Sequence, residues 1–196
     1  MLKNLAEGLM KAGAIQFGTF TLSDGSESSY YLNMRGLPSY PGAFKLVVET
    51  MTELVTAKST RADAICGVPI TGLTIASPVA VALGKPLVYA RKTKTAGERV
   101  IEGEVRPDWK VVVVDDLANS GRTVLASAKL IEEEGASVKH AVVLIDRLEG
   151  ARERLSKEGI ALHAATDMME LADTLHSMEL ITEQNLKSIT RSVGGR

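Results

Sequence analysis

A chain of 196 residues is long enough for one α/β domain with a sizeable core. With 45% hydrophobic, 24% charged and 4% aromatic residues and a net charge of −1, it has neither the basic excess nor the aromatic platforms expected of a nucleic-acid or membrane-surface binder. Cys66 is the only cysteine, so no intramolecular disulfide can form. No apolar run approaches a membrane span, and the first residues hold no signal-like apolar stretch, so a cytoplasmic chain is expected.

Leu2, Leu5, Leu9 and Met10 recur at helical spacing and predict a helix over residues 2–13, which Gly13 can end. Residues 17–22 read as a strand, Asp24-Gly25 as a turn and residues 30–35 as the returning strand. Residues 1–38 are thus expected to form a small N-terminal hood of one helix and a hairpin. Pro41 suits a helix start, and Phe44, Leu46, Val47, Val48, Met51, Leu54 and Val55 predict a long helix behind it. Short apolar strands then alternate with helices: strands over 64–69, 86–90, 110–115, 140–146 and 160–165, and helices over 74–83, 122–134, 151–158 and 168–178. That alternation predicts an α/β fold with a central parallel sheet flanked by helices on both faces. A last helix over 182–193 opens on Thr182-Glu183-Gln184-Asn185, a capping-box pattern with Asn in place of Glu. No repeat or low-complexity linker divides the chain. The expected organisation is a single domain over 1–196, with the hood at 1–38, the core at 39–180 and the terminal helix after it.

In open parallel sheets ligands bind beyond the carboxyl ends of the strands, so the residues following each strand carry the functional signal. After Val111–Val114 come Asp115 and Asp116, then Leu117, Ala118, Asn119, Ser120, Gly121, Arg122 and Thr123 at a helix start. Small and polar residues there expose backbone N–H groups to which the helix dipole attracts an anion, so one phosphate can lie in the turn. The two carboxylates can accept hydrogen bonds from sugar hydroxyls or help hold Mg²⁺, a hard cation that prefers oxygen. A phosphate, vicinal hydroxyls and magnesium together describe a phosphorylated ribose. The glycines of Gly67-Val68-Pro69-Ile70-Thr71-Gly72 allow a second anion to approach the backbone, and pyrophosphate is a candidate. Arg91, Lys92, Lys94 and Arg99 place four cations within nine residues and read as a basic flap over a polyanion. Arg147 follows a strand and can grip a carboxylate bidentately. Cys66 and the three histidines read as packing or surface residues. Neither a Walker A sequence nor a G-x-G-x-x-G fingerprint is present.

The segment Val111–Thr123 resembles the phosphoribosyl-diphosphate (PRPP) motif of the type I phosphoribosyltransferases. Phe20-Thr21-Leu22, Ser28–Arg35, Ser39-Tyr40-Pro41, Gly67-Val68-Pro69, Arg91-Lys92, Glu102-Gly103 and Leu144–Gly150 resemble the orotate-using members in order, over roughly residues 5–175. The resemblance implies a type I phosphoribosyltransferase-like fold, a reaction of orotate with PRPP in pyrimidine biosynthesis, Mg²⁺ as cofactor and a homodimer. It implies that Asp115 and Asp116 hold the ribose hydroxyls, that Leu117 to Thr123 cradle the 5′-phosphate and that Ile70 and Thr71 line the pyrophosphate loop. Arg91, Lys92 and Lys94 would meet the pyrophosphate as catalytic cations, with a flap lysine crossing from a partner subunit. Tyr30, Tyr31, Asn119 and Arg147 would contact orotate. The chain departs from the family pattern at Ser23, Ala96 and Asn119, where lysine, histidine and threonine are usual. Two alternatives stay open on the residues alone: a transferase for another base, and a PRPP-binding regulator without catalysis.

Overall fold

Four consecutive valines, Val111–Val114, are each at most 2% exposed, because the strand that holds them is covered on both faces. This computed structural model describes residues 1–21, 27–59, 61–91 and 100–194. The chain forms two compact units, Val48–Ala165 and Met1–Val47 with Thr166–Arg196.

In the first unit, β3 (Ala64–Gly67), β4 (Leu87–Ala90), β5 (Ile101–Glu102), β6 (Lys110–Ala118), β7 (Ser137–Asp146) and β8 (Ala161–Asp167) line up in the order β5-β4-β3-β6-β7-β8. The β3–β4, β3–β6 and β6–β7 pairs are parallel, as expected from the alternation of strands and helices. The two-residue β5 lies antiparallel at the edge and was not expected from the sequence. The crossovers are α3 (Thr71–Leu83), α4 (Arg122–Glu133) and α5 (Ala151–Lys157). One face of the sheet buries Cys66, Val88, Val111, Val113, Val124, Ala128, Ile131 and Leu155 in a single apolar cluster. Two expected boundaries move. The β6 ladder runs past the expected end at Asp115 through Leu117 and Ala118, because β7 supplies partners Ile145 and Asp146 there. Helix α3 begins at Thr71 rather than 74.

The second unit holds α1 (Leu2–Lys11), the hairpin β1 (Ile15–Thr21) and β2 (Glu27–Leu32), α6 (Met168–Ser177) and α7 (Glu183–Gly194). Helix α1 packs on α6, α6 on α7 and α7 on β2. The expected strand over 30–35 is corrected to end at Leu32: the Asn33 side chain accepts from the Arg35 N–H and opens a 3₁₀ helix at Met34–Ser39. Helix α2 (Pro41–Lys58) starts at Pro41 as expected. The start of α7 is capped by Thr182 and Asn185, each side chain bonding the other's backbone N–H, at 3.2 and 3.1 Å. Leu22 and the Asp24-Gly25 turn lie outside the described residues.

Candidate active site

Between β3 and β6 the connections change direction. Strand β3 leads through α3 to β4 on one side, and β6 leads through α4 to β7 on the other. The crevice beyond the strand ends at such a point is the expected ligand site of an open sheet. Three turns meet there. The Val68 N–H donates to the Val114 oxygen at 3.0 Å, tying the β3–α3 turn to β6. The Arg147 N–H donates to the Ala118 oxygen at 2.9 Å, tying the β7–α5 turn to the end of β6.

Asp115 is 6% exposed and lies against the start of α3, where a Cβ built on Gly72 would stand 2.6 Å from its Oδ1 and 2.8 Å from its Cα. The Asp116 N–H donates to Asp115 Oδ1 at 2.9 Å. Burial, and then the neighbouring charge of Asp116, hold the Asp115 carboxyl well above the usual carboxylate range. Asp116 itself is half-buried. A hydrogen bond between the Asp115 and Asp116 side chains raises the Asp115 pKa further.

Beyond Ala118, Asn119 is exposed and Ser120 accepts from the Arg122 Nε at 3.1 Å. Gly121 caps α4 at φ 73° without any side-chain cap, leaving the first backbone N–H groups of α4 for an anion. A side chain at Gly121 would be strained by that φ, and its Cβ would approach Ala151 at 3.2 Å. On the other side of the crevice, Ile70 is exposed and Thr71 opens α3, again with no side-chain cap; the Pro69–Ile70 peptide bond is cis. A Cβ on Gly67 would stand 2.8 Å from Leu73 Cα, so Gly67 and Gly72 also let α3 lie close on the sheet.

Arg147 is 5% exposed, and its Nη2 pairs with Glu149 Oε1 at 3.0 Å. The turn is held by Asp146, which accepts from the Leu148 N–H at 2.9 Å and pairs with Arg152 at 3.2 Å. The Arg91 N–H donates to the Val100 oxygen at 2.8 Å, and its guanidinium meets Glu102 at 3.3 Å. Lys92 and Lys94 lie outside the described residues, as does the rest of 92–99. In the second unit, Tyr30 and Tyr31 occupy opposite faces of β2. Tyr30 is 1% exposed, while Tyr31 is half-buried and stacks on Phe20 with ring centroids 5.5 Å apart. The structure therefore brings together Ile70, Thr71, Asp115 to Thr123, Arg91 and Arg147 within one unit and splits the tyrosine pair.

Sequence reasoning gave no role to Asp146, Glu149 or Arg152. Asp146 and Glu149 stood inside a quoted motif, but their partners depend on the fold of the turn.

Residues 39–162 match the family model described as the phosphoribosyl transferase domain. The orotate phosphoribosyltransferase of Cenarchaeum symbiosum is 38% identical over 96% of this chain and 94% of its own length. Among solved structures, the orotate phosphoribosyltransferase of Aeropyrum pernix superposes with a TM-score of 0.76 at 34% identity, covering 89% of this chain and 99% of that one. The UMP synthase of Leishmania donovani superposes with a TM-score of 0.90 at 30% identity, and there this chain spans 42% of the longer protein. A buried valine strand that ends in two carboxylates and an uncapped helix start, in a chain that matches these relatives over most of its length, leads to one statement: the chain belongs to the phosphoribosyltransferase family, among its orotate phosphoribosyltransferases.

Proposed function

We propose that this chain transfers the 5-phosphoribosyl group of PRPP to orotate, giving orotidine 5′-monophosphate and pyrophosphate in pyrimidine nucleotide biosynthesis, with both units serving one phosphoribosyltransferase domain. The observation that carries this reading is the β6–α4 turn, where two carboxylates precede an uncapped helix start. The named relatives supply the base.

Asp115 and Asp116 accept hydrogen bonds from the ribose hydroxyls, and the backbone and side chains of Asn119 to Thr123 cradle the 5′-phosphate. Ile70 and Thr71 border the pyrophosphate, toward which Arg91, Lys92 and Lys94 direct positive charge. Arg147 meets the orotate carboxylate once Glu149 releases it, Asn119 borders the base, and Tyr31 offers a ring face while buried Tyr30 holds the strand. The C1–O bond to pyrophosphate breaks as the N1–C1 bond to orotate forms, so positive charge builds on the ribose and negative charge on the leaving group. The cations stabilise the latter, and no covalent nucleophile is needed. The donor set fits Mg²⁺. Asp115 and Asp116 offer hard oxygens, and among the described residues no group of three or more His, Cys, Asp or Glu could hold a metal by itself, which suits an ion carried on the diphosphate. When bound, Mg²⁺ supplies charge neutralisation at the pyrophosphate.

We also read the chain as a cytoplasmic homodimer whose basic flap reaches the partner's site. No described helix is long and apolar enough to cross a membrane.

The test mixes purified chain with PRPP, Mg²⁺ and orotate and follows the loss of orotate absorbance. Turnover with orotate supports the proposal. Turnover with a purine base alone sinks it, and PRPP binding with no turnover of any base replaces it with a regulator.

A further inference from the structure

At the opposite end of the sheet from the candidate active site, the amino-terminal ends of β3, β6 and β7 surround a cavity of ≈ 400 Å³. Along β6, Lys110 at its rim is six residues from Asp116, a separation of roughly 20 Å at the usual rise of a strand. Its wall carries Lys58 from the end of α2, Arg61 from the loop that follows, Lys110 from the first position of β6, and Lys139 and His140 from β7. Among the described residues no carboxylate lines it. Among the described residues none of the four Lys and Arg side chains is in an ion pair. The nearest acid in sequence, Asp63, accepts the Lys110 backbone N–H at 2.8 Å. Ala62, Val111 and Val112 add apolar wall, and Ser59 and Ser137 add hydroxyls.

Four unpaired cations around one concave space repel one another, and an anion relieves that repulsion. The register shift in the β6–β7 ladder between Val111 and Val112 puts Val138 opposite the first and His140 opposite the second, so Lys139 is the extra residue of β7 at the rim. A free phosphate would fill little of ≈ 400 Å³ and would leave the apolar wall unused, whereas a nucleotide-sized molecule uses both. We propose that this cavity is a second binding site, separate from the catalytic crevice, for a phosphorylated small molecule of nucleotide size.

His140 links the site to a measurable signal. Its Nδ1 lies 3.1 Å from His163 Nε2, and the two rings stack with centroids 5.3 Å apart. His163 is held below the usual imidazole range by burial first, then by His140, by Lys58 of α2 and by Arg152 of α5. A bound polyanion opposes the three charge effects on His163, so His163 takes up a proton more readily when the cavity fills.

The experiment titrates the full chain with UTP, with inorganic tripolyphosphate and with a short single-stranded oligonucleotide. It reads heat of binding and the imidazole NMR signals of His140 and His163 while PRPP and Mg²⁺ saturate the catalytic crevice. UTP is expected to bind, to raise the pKa of His163 and to lose at least about tenfold in affinity in a Lys58→Ala, Lys139→Ala double variant. That variant removes two exposed side chains, so its melting temperature and its KM for PRPP should stay at wild-type values. Equal UTP affinity in the variant, or histidine signals unmoved by UTP in the unmodified chain, overturns the proposal. Equal affinity for tripolyphosphate and UTP overturns the nucleotide-sized ligand, and tighter binding of the oligonucleotide overturns it in favour of a nucleic-acid surface.

Discussion

Gly72→Ala places one methyl group where the structure has no room for it. The new Cβ would lie 2.6 Å from Asp115 Oδ1 and 2.8 Å from both Asp115 Cα and the Val114 oxygen. Ordinary contact begins at 3.4 Å, so the closest approach falls short by about 0.8 Å (3.4 − 2.6). Two of the three atoms are backbone of β6, which is hydrogen-bonded to β3 and β7 and cannot move alone. The start of α3 and the Asp115 carboxylate must therefore separate by most of that distance. Overpacking of this kind costs roughly 1–3 kcal/mol, which for a chain of this length is about 2–12 °C in Tm. A displacement approaching 1 Å of a group that positions substrate can cost on the order of 100-fold in kcat/KM. The assay is a thermal melt beside steady-state kinetics with PRPP and orotate. Gly42→Ala, at a helical position with nothing within 4 Å, serves as the control and should leave both measurements unchanged or raise Tm slightly. A Gly72→Ala protein with unchanged Tm and turnover would show that α3 does not press on Asp115 and would refute the reasoning.

Asp115→Asn should stabilise the fold while lowering turnover. The folded pKa of Asp115 lies above its unfolded value, so its stabilising contribution is complete below the ordinary carboxylate range and is lost as pH rises through the raised value. At neutral pH the variant is expected to gain roughly 0.5–2 kcal/mol, an advantage that vanishes near about pH 4; denaturation curves at both pH values that shift in parallel would contradict this. The Cys66 thiol is pushed up to about 12 by burial and by the charge of Asp115, so the native chain should resist alkylation at about pH 8 and take up one equivalent of reagent when unfolded. Cys66→Ala should keep turnover within about twofold, whereas Asp116→Asn should lose far more; equal losses would undo the assignment of the carboxylates.

The parts of this fold that were legible were those in which one local pattern decides. The run Val111–Val114 could only be a strand covered on both faces, and Pro41 could only open a helix. Thr182 and Asn185 cap each other across three residues, a spacing visible without any tertiary information. The parts that were missed depend on a neighbour. The strand was expected to stop at Asp115, with the residues after it in a loop, yet β7 continues the ladder beside Leu117 and Ala118. Strand β5 is two residues long and exists only because Tyr89 and Ala90 pair with it. Met34 and Arg35 looked like strand until the Asn33 cap turned the chain. In the site, the uncapped helix start after Ala118 was readable from its small polar residues. The pairing of Arg147 with Glu149, the opposite facing of Tyr30 and Tyr31, and the meeting of His140 with His163 were not. The last joins residues 23 apart on different strands.

The continuation of β6 through its acids bears on how fast a ligand can be captured. Asp115 to Ala118 are held in register by β7, so their backbone is ordered before anything binds. The conformational freedom lost there is lost during folding and is not lost a second time on encounter. Capture of the ribose at this end of the crevice should accordingly approach the diffusive limit for a rigid pocket, with a small temperature dependence. Any slow, strongly temperature-dependent phase in PRPP binding would then originate elsewhere in the chain.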